Sequence, residues 1–262
     1  MSTLEGRWAV VTGASSGLGA DLARVLAERR CNTVLVARRE ERLKELAREL
    51  EQGAGVRTDV VALDLCDAGA PEALFQRLAG EGISVDVLVN NAGFGVYGDD
   101  LGIPWERERQ MLELDVSALV QLTKLFLPGM VERDFGHVLQ VASIGAYQPT
   151  PSYAAYSAAK AFVLSYGEAL SYELRRTRVR ITVLSPGVTK TEFLQVSGQT
   201  PNLYQRMAMM PSRKVAEVGV RAMLRGRPSV VPGLLNKASV FGVRFMPRRA
   251  QAATAHLLMN LG

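Results

Sequence analysis

Tyr156 and Lys160 stand four residues apart in Tyr156-Ser157-Ala158-Ala159-Lys160, within an Ala- and Leu-rich segment running to about Arg176. In a helix that spacing puts both side chains on one face. A free phenol titrates at about pH 10 and is a poor base at neutral pH, but a neighbouring ammonium favours phenolate. The pair therefore reads as a proton-transfer device acting at an oxygen atom. Ser143 closes an apolar run thirteen residues before Tyr156, where its hydroxyl could hydrogen-bond a substrate oxygen on which charge develops. The alternative for Ser143 is a strand-end cap, and each of the three residues alone is more often structural. Their order as a set carries the reading.

A second group of residues points to a phosphate. Thr12-Gly13-Ala14-Ser15-Ser16-Gly17-Leu18-Gly19 follows the first apolar run directly and leads into a helical run through Arg30. Glycines there permit a tight turn and close backbone approach, and the free amides of the following helix face a pyrophosphate with a favourable dipole. The spacing is G-x-x-x-G-x-G, not the commoner G-x-G-x-x-G, and alone it also fits an ordinary loop. Asn90-Asn91-Ala92-Gly93 ends the fourth apolar run and Asp64-Leu65 the third, so these turns are expected to share one edge of a sheet with the glycine turn.

Taken in order, T-G-x-x-x-G-x-G, N-N-A-G, Ser143, Y-x-x-x-K and Pro186-Gly187 resemble the short-chain dehydrogenase/reductase (SDR) family, from Arg7 to roughly Val231. The resemblance implies hydride transfer between a nicotinamide cofactor and a carbonyl or secondary alcohol, with Ser143, Tyr156 and Lys160 catalytic. It implies cofactor contacts from Gly13, Ser15, Ser16, Gly17, Leu18, Gly19, Leu65, Ala92, Gly93 and Val188, with Asp64 at the adenine. Asn91 would lie by the adenosine ribose, and Pro186, Gly187 and Thr189 against the nicotinamide, whose positive charge would further favour the Tyr156 phenolate. Tyr156 and Lys160 would also touch the cofactor. One departure stands in Leu114-Asp115-Val116-Ser117, where the family usually has asparagine in a proton relay and this chain has Asp115. Asp115 accepts hydrogen bonds but cannot donate one, and its charge would hold a nearby Lys160 protonated. The resemblance also implies a homodimer or homotetramer built on long helices at about Glu106 to Val131 and Ser152 to Arg176.

The second apolar run ends Val34-Leu35-Val36-Ala37-Arg38-Arg39. NAD enzymes usually place an acid at the position Ala37 takes. An arginine just beyond offers a planar fork of donors to a 2'-phosphate, so Arg38 first, and Arg39 after it, favour NADP(H).

The elements that must position these groups are short β-branched runs alternating with helical patterns. Strands are expected at Trp8 to Thr12, Thr33 to Val36, Val56 to Leu63, Val85 to Asn90, Val138 to Ser143, Val179 to Ser185 and Ser229 to Val231. Most are continuously apolar, as strands buried on both faces must be. Glu40 to Glu51 carries Leu43, Leu46 and Leu50 at helical spacing, with Gly53 and Gly55 as its stop. The expected fold is α/β: a Rossmann-type, doubly wound, seven-stranded parallel sheet with helices on both faces. It forms a single domain over residues 1–262, with the cofactor part at about 7–145 and the catalytic helix and substrate part at about 146–262. Val188 to Met210 contains no clear regular element, and the segment after Pro232 is harder to read; both are assigned to the substrate side.

Composition sets outer bounds. The 262 residues are 48% hydrophobic and 22% charged, enough for one large core, and the net charge of +5 lies on scattered arginines without a recognition motif for nucleic acid. A phosphorylated cofactor is a sufficient anionic partner. Cys31 and Cys66 have neither C-x-x-C spacing nor paired histidines, so no metal is expected. His137 and His256 have no sequence neighbours that suggest catalysis. Without a signal-like N-terminus, and with uninterrupted apolar stretches of only strand length, the chain is expected to be cytoplasmic. Phe94, Val96, Tyr97, Ile144, Gln148, Tyr153, Leu194, Val196, Met207, Met209 and Met210 are candidate walls for a hydrophobic small-molecule substrate, the methionines serving equally well as core filler. The tail from Leu234 to Leu261 mixes apolar side chains with Arg244, Arg248 and Arg249, and reads either as a membrane-surface element or, more commonly, as packing against its own domain or a second subunit. A non-catalytic NADP-binding regulatory protein on the same fold is the competing function, and the intact Ser143, Tyr156 and Lys160 weigh against it.

Overall fold

The computed structural model describes residues 4–259, apart from the side chains of Leu203, Tyr204 and Met207. Seven strands make one parallel sheet: β1 (Trp8–Thr12), β2 (Asn32–Ala37), β3 (Thr58–Ala62), β4 (Val85–Asn90), β5 (Gly136–Val141), β6 (Val179–Leu184) and, after a separate strand pair formed by β7 (Thr189–Lys190) and β8 (Met210–Pro211), β9 (Ser229–Val230). The order β3-β2-β1-β4-β5-β6-β9 reverses direction between β1 and β4, the place where ligands bind in open parallel sheets. In β1, Ala9 and Val11 face one core and Val10 the other, which is the physical reason these runs are apolar without alternation.

Helices α1 (Gly17–Ala27), α2 (Glu40–Ala54) and, later in the chain, α9 (Ser212–Leu224) cover one face. On the other lie α3 (Ala70–Gly80), a long helix made of α4 (Trp105–Leu112), a π-helical turn (Glu113–Ala118) and α5 (Leu119–Glu132), and α6 (Ala154–Glu173). The α2 helix runs through Gly53 and stops at Gly55, whose φ of 64° is left-handed, so only the second of the two expected glycines ends it. Helix Trp105–Glu132 is long and apolar enough to cross a bilayer by length and composition, a property hidden from a search for uninterrupted apolar runs. Here Leu122, Phe126 and Met130 are buried against the sheet and α3, and Met111 is buried as well.

The stretch expected to lack regular structure is organised. It contains β7, α7 (Phe193–Ser197), α8 (Leu203–Ala208) and β8. These elements are too short for a period to be read from sequence. The last described elements are α10 (Leu234–Val243) and α11 (Arg248–Met259).

Candidate active site

Thr12 sits at the carboxyl end of β1, 1% exposed, and its hydroxyl ties two turns together. It donates to the carbonyl of Val89 at 3.1 Å and accepts from the amides of Asn91 at 3.0 Å and Ala92 at 2.9 Å. Asn91 returns the contact, its Nδ2 donating to the Thr12 carbonyl at 2.9 Å. Thr12 was visible in the motif but not singled out; a buried threonine at a strand end before a glycine is the signal that could have found it.

The glycines are required by this close approach. A Cβ on Gly19 would lie 2.2 Å from the Gly13 carbonyl oxygen, and Gly13, at φ +67°, would press a Cβ against Asn91. Ser16 precedes α1 without a side-chain cap, and the first turn of α1 holds no acid, so its amides are left to an anion. Arg39 reinforces the positive field: its guanidinium donates to Ser15 Oγ at 3.1 Å and Ser16 Oγ at 2.6 Å. Arg38 is more exposed and lies 3.4 Å from Asp64, whose other oxygen accepts from the Cys66 amide. Uncapped amides, a cradle that a Cβ would fill and adjacent arginines fit the phosphates of a dinucleotide.

Ser143 is not the last residue of its strand. β5 stops at Val141, and Ser143 instead caps a short 3-10 turn over Ile144–Tyr147, accepting from the Gly145 amide at 3.1 Å. The expected cap role and the expected chemical role are compatible, because a hydroxyl that accepts one bond keeps its own proton to donate. The next helix, α6, begins at Ala154 and ends at Glu173, shorter at both ends than expected, and carries Tyr156 and Lys160 one turn apart.

Lys160 is buried. Its Nζ donates to the Val141 carbonyl at 3.1 Å and lies 2.9 Å from Asp115 Oδ2 and 5.7 Å from the centre of the Tyr156 ring. Asp115 is wholly buried in the π-helical turn, and its Oδ1 accepts from the Phe94 amide at 3.0 Å. An extra residue in that turn marks a functional position in many helices. Burial raises the Asp115 carboxyl above its usual range, while the Lys160 charge pulls it back down.

Tyr156 is subject to more than the Lys160 charge that the spacing supplies. Burial pushes its phenol well up, the Asp115 charge pushes it further, and hydrogen bonding with Ser143 offsets part of this. The pull of Lys160 on Tyr156 towards phenolate is weakened, because its ammonium is paired at 2.9 Å with a carboxylate that partly cancels its field.

A cavity of about 650 Å³ runs from the glycine turn past Arg38, Arg39, Asp64 and Leu65 to Tyr156, and continues along Pro186, Gly187, Val188 and Thr189. Ser15, Ser16, Gly17, Leu18, Asn91, Ala92, Gly93, Ser143 and Lys160 also line it. Of the expected substrate walls, Phe94, Ile144, Gln148, Tyr153, Leu194 and Val196 face it, whereas Val96, Tyr97, Met209 and Met210 do not. Met210 belongs to β8 and packs on the core, and the Tyr97 ring lies tilted against that of Tyr153, their centres 5.2 Å apart. Met207 lies outside the described side chains. Phe193 of α7 and Leu258 and Met259 of α11 are further walls, in stretches assigned to the substrate side without these residues being named, since the tertiary fold decides which side chains reach the cavity.

Glu192 was also missed. It joins Arg39 at 2.8 Å and Arg42 at 2.7 Å, fastening the segment before α7 to the entry of α2. The hydrogen bonds from Arg42 and Arg39 hold its carboxyl down to about 2. Tyr153 fastens the same segment from the other side, its hydroxyl 2.8 Å from Ser197 Oγ and donating to Gln199 Oε1 at 3.0 Å.

The family model described as short chain dehydrogenase matches residues 7–202. An uncharacterized oxidoreductase of Myxococcus xanthus (strain DK1622) is 35% identical over 230 residues, 88% of each chain. A solved structure of a 7beta-hydroxysteroid dehydrogenase superposes with a TM-score of 0.88 at 26% identity, covering 97% of this chain and 99% of that one. A short-chain dehydrogenase from Sphingobium yanoikuyae, solved in complex with NADPH, superposes with a TM-score of 0.80 at 27% identity, covering 94% and 98%.

Proposed function

The chain belongs to the short chain dehydrogenase family of oxidoreductases, and on that premise we propose that it reduces the carbonyl group of a hydrophobic substrate with NADPH, using Tyr156, Ser143 and Lys160. The observation that carries the proposal is the single cavity joining the glycine turn to Tyr156, with Lys160 held beneath it by Asp115 and Val141. NADPH when bound would supply the hydride. Gly13 to Gly19 and the α1 amides would hold its pyrophosphate, and Arg39 and Arg38 its 2'-phosphate. The NADPH-bound relative from Sphingobium yanoikuyae supports this choice.

The chain's own groups then handle the oxygen. The Ser143 hydroxyl, with its proton free to donate, would hydrogen-bond the carbonyl oxygen. Tyr156 would give that oxygen its phenolic proton as charge develops. Lys160, anchored by Asp115 and Val141, would orient Tyr156 and stabilise the phenolate left behind. Because burial and Asp115 keep the proton on Tyr156 at neutral pH, the site is set to donate a proton, which suits reduction better than oxidation. Phe94, Ile144, Phe193 and Leu194 make the wall beyond Tyr156 apolar, favouring a bulky uncharged ketone.

The test is NADPH oxidation over a panel of hydrophobic ketones and ketoacyl esters, with Tyr156→Phe as control. Turnover that falls by about 100-fold or more in the variant supports the reading, in line with the loss of one general acid. Tight NADPH binding without turnover of any ketone by the wild type would favour the regulatory binder instead.

A further inference from the structure

The positive charge of this protein is gathered at one end. Residues 218–262 hold seven of the 31 Lys and Arg and none of the 26 Asp and Glu, leaving 24 basic and 26 acidic residues in the rest of the chain. The net charge of +5 therefore arises in the last part of the chain, which includes α10 and α11.

The α10 helix buries one side and exposes an apolar stripe on the other. Asn236, Val240 and Val243 face inward and are buried. Opposite them, Leu234, Ala238, Phe241 and Phe245 follow one another at spacings of four, three and four along α10 and just past its end. Leu234 is 84% exposed, Phe241 60% and Phe245 75%, and the two rings lie 5.2 Å apart edge to face. A surface helix of a water-soluble domain carries polar side chains there. Lys237 and Arg244 flank the stripe and are exposed. Arg248 and Arg249, also exposed, open α11, the helix end where the dipole disfavours cations, so the helix itself gives no reason for them.

The two helices are firmly held. Gln251 Nε2 donates to the carbonyls of Val243 and Met246 at 3.0 and 2.9 Å, and Asn202 Nδ2 donates to the Leu258 and Met259 carbonyls, both at 2.9 Å. Their other sides, through Ser239, Leu258 and Met259, line the cavity described above.

We propose that α10 and α11 dock this protein on an anionic lipid bilayer, with Leu234, Phe241 and Phe245 inserted at the level of the headgroups and Lys237, Arg244, Arg248 and Arg249 on the lipid phosphates. Ten helical residues cover about 15 Å, half of a bilayer core, so α10 lies on the surface and does not span it. Charge selects the occupant. A second copy meeting this face by two-fold symmetry would bring its own cations against these, with no acid in the segment to pair them. Docking in this way brings the cavity wall beside a phase in which apolar molecules dissolve. The docking inference stands apart from the catalytic reading, since its test measures lipid binding alone.

The experiment is flotation of the full chain with vesicles of phosphatidylcholine alone or mixed with phosphatidylglycerol, at low and high salt. The wild type is expected to float with the anionic vesicles, weakly with the neutral ones, and less at high salt. Each basic side chain at such a surface contributes about fivefold to partitioning, so Arg244→Gln/Arg248→Gln/Arg249→Gln should lose about 100-fold. Phe241→Ser/Phe245→Ser should lose at least about tenfold with an unchanged melting temperature, both rings being exposed. Absence of flotation with anionic vesicles overturns the proposal, as does equal flotation with neutral ones. A wild-type dimer that the Phe241→Ser/Phe245→Ser variant converts to monomer would also overturn it, by assigning the face to a second copy.

Discussion

Replacing Asp115 by asparagine removes one buried charge while keeping the shape of the side chain and an oxygen to accept from the Phe94 amide. Nζ of Lys160 lies 2.9 Å from the carboxylate and 5.7 Å from the Tyr156 ring centre, so the carboxylate is within about 9 Å of the ring. At an effective dielectric constant of about 20, Lys160 favours a phenolate by ~3 kcal/mol and Asp115 opposes it by ~2 kcal/mol. Tyr156 keeps a partial exposure at the cavity, and solvent screening reduces both figures, the second to about 1 kcal/mol. Loss of the Asp115 charge should therefore move the alkaline limb of the kcat–pH profile down by about one pH unit. In the oxidative direction the rate at a fixed pH below that limb should rise by up to about tenfold; in reduction the acid form of Tyr156 should be lost at lower pH. The assay is kcat against pH in both directions, wild type and Asp115→Asn, at saturating cofactor. A limb that stays in place, or moves up, refutes the electrostatic coupling of Asp115 to Tyr156.

Three other outcomes follow from the geometry. Gly19→Ala would put a methyl group against the Gly13 carbonyl, which is backbone and cannot swing aside, so NADPH affinity should fall by about 100-fold or more, measured by calorimetry. Glu192→Gln releases the Arg39 and Arg42 guanidinium groups for a 2'-phosphate; because these are half-exposed ion pairs, NADPH should bind up to about fivefold tighter and NADH unchanged, and weaker NADPH binding would show that Glu192 helps to hold the cofactor. His137, buried in β5, is held down to about 4 from its ordinary 6.5 by burial and the Arg180 charge. A depressed histidine contributes stability that is full above 6.5 and is lost as the pH falls towards 4, here up to about 3 kcal/mol. Thermal melts from pH 7 to pH 4 should show this slope, and His137→Gln should flatten it.

The core strands were legible because a strand buried on both faces must be apolar throughout, and all seven lie where such runs occur, with ends displaced by at most two residues. Boundaries drifted both ways: Val56 to Leu63 overran β3 at both ends, and Val138 to Ser143 sat two residues late on β5, where Gly136 and His137 pair without being part of the apolar run. The glycine turn and the Tyr156–Lys160 pair were equally legible, each being set by a local repeat, a turn in one case and one helical period in the other. The segment between Val188 and Met210 was not, since two-residue strands and helices of five or six residues are shorter than any period that could announce them.

The sequence by itself thus determined the alternation of strands and helices and the residue types at each strand end, because backbone geometry converts spacing into facing. The tertiary structure decided what meets what. Glu192 joins Arg39 across 153 residues, and α11 returns to wall the cavity. Asp115 reaches Lys160 through a π-helical turn and sets a second charge against the one that the Tyr156–Lys160 spacing supplies. Such contacts depend on the path of distant loops and on the charges that burial brings together, and neither leaves a period in the sequence.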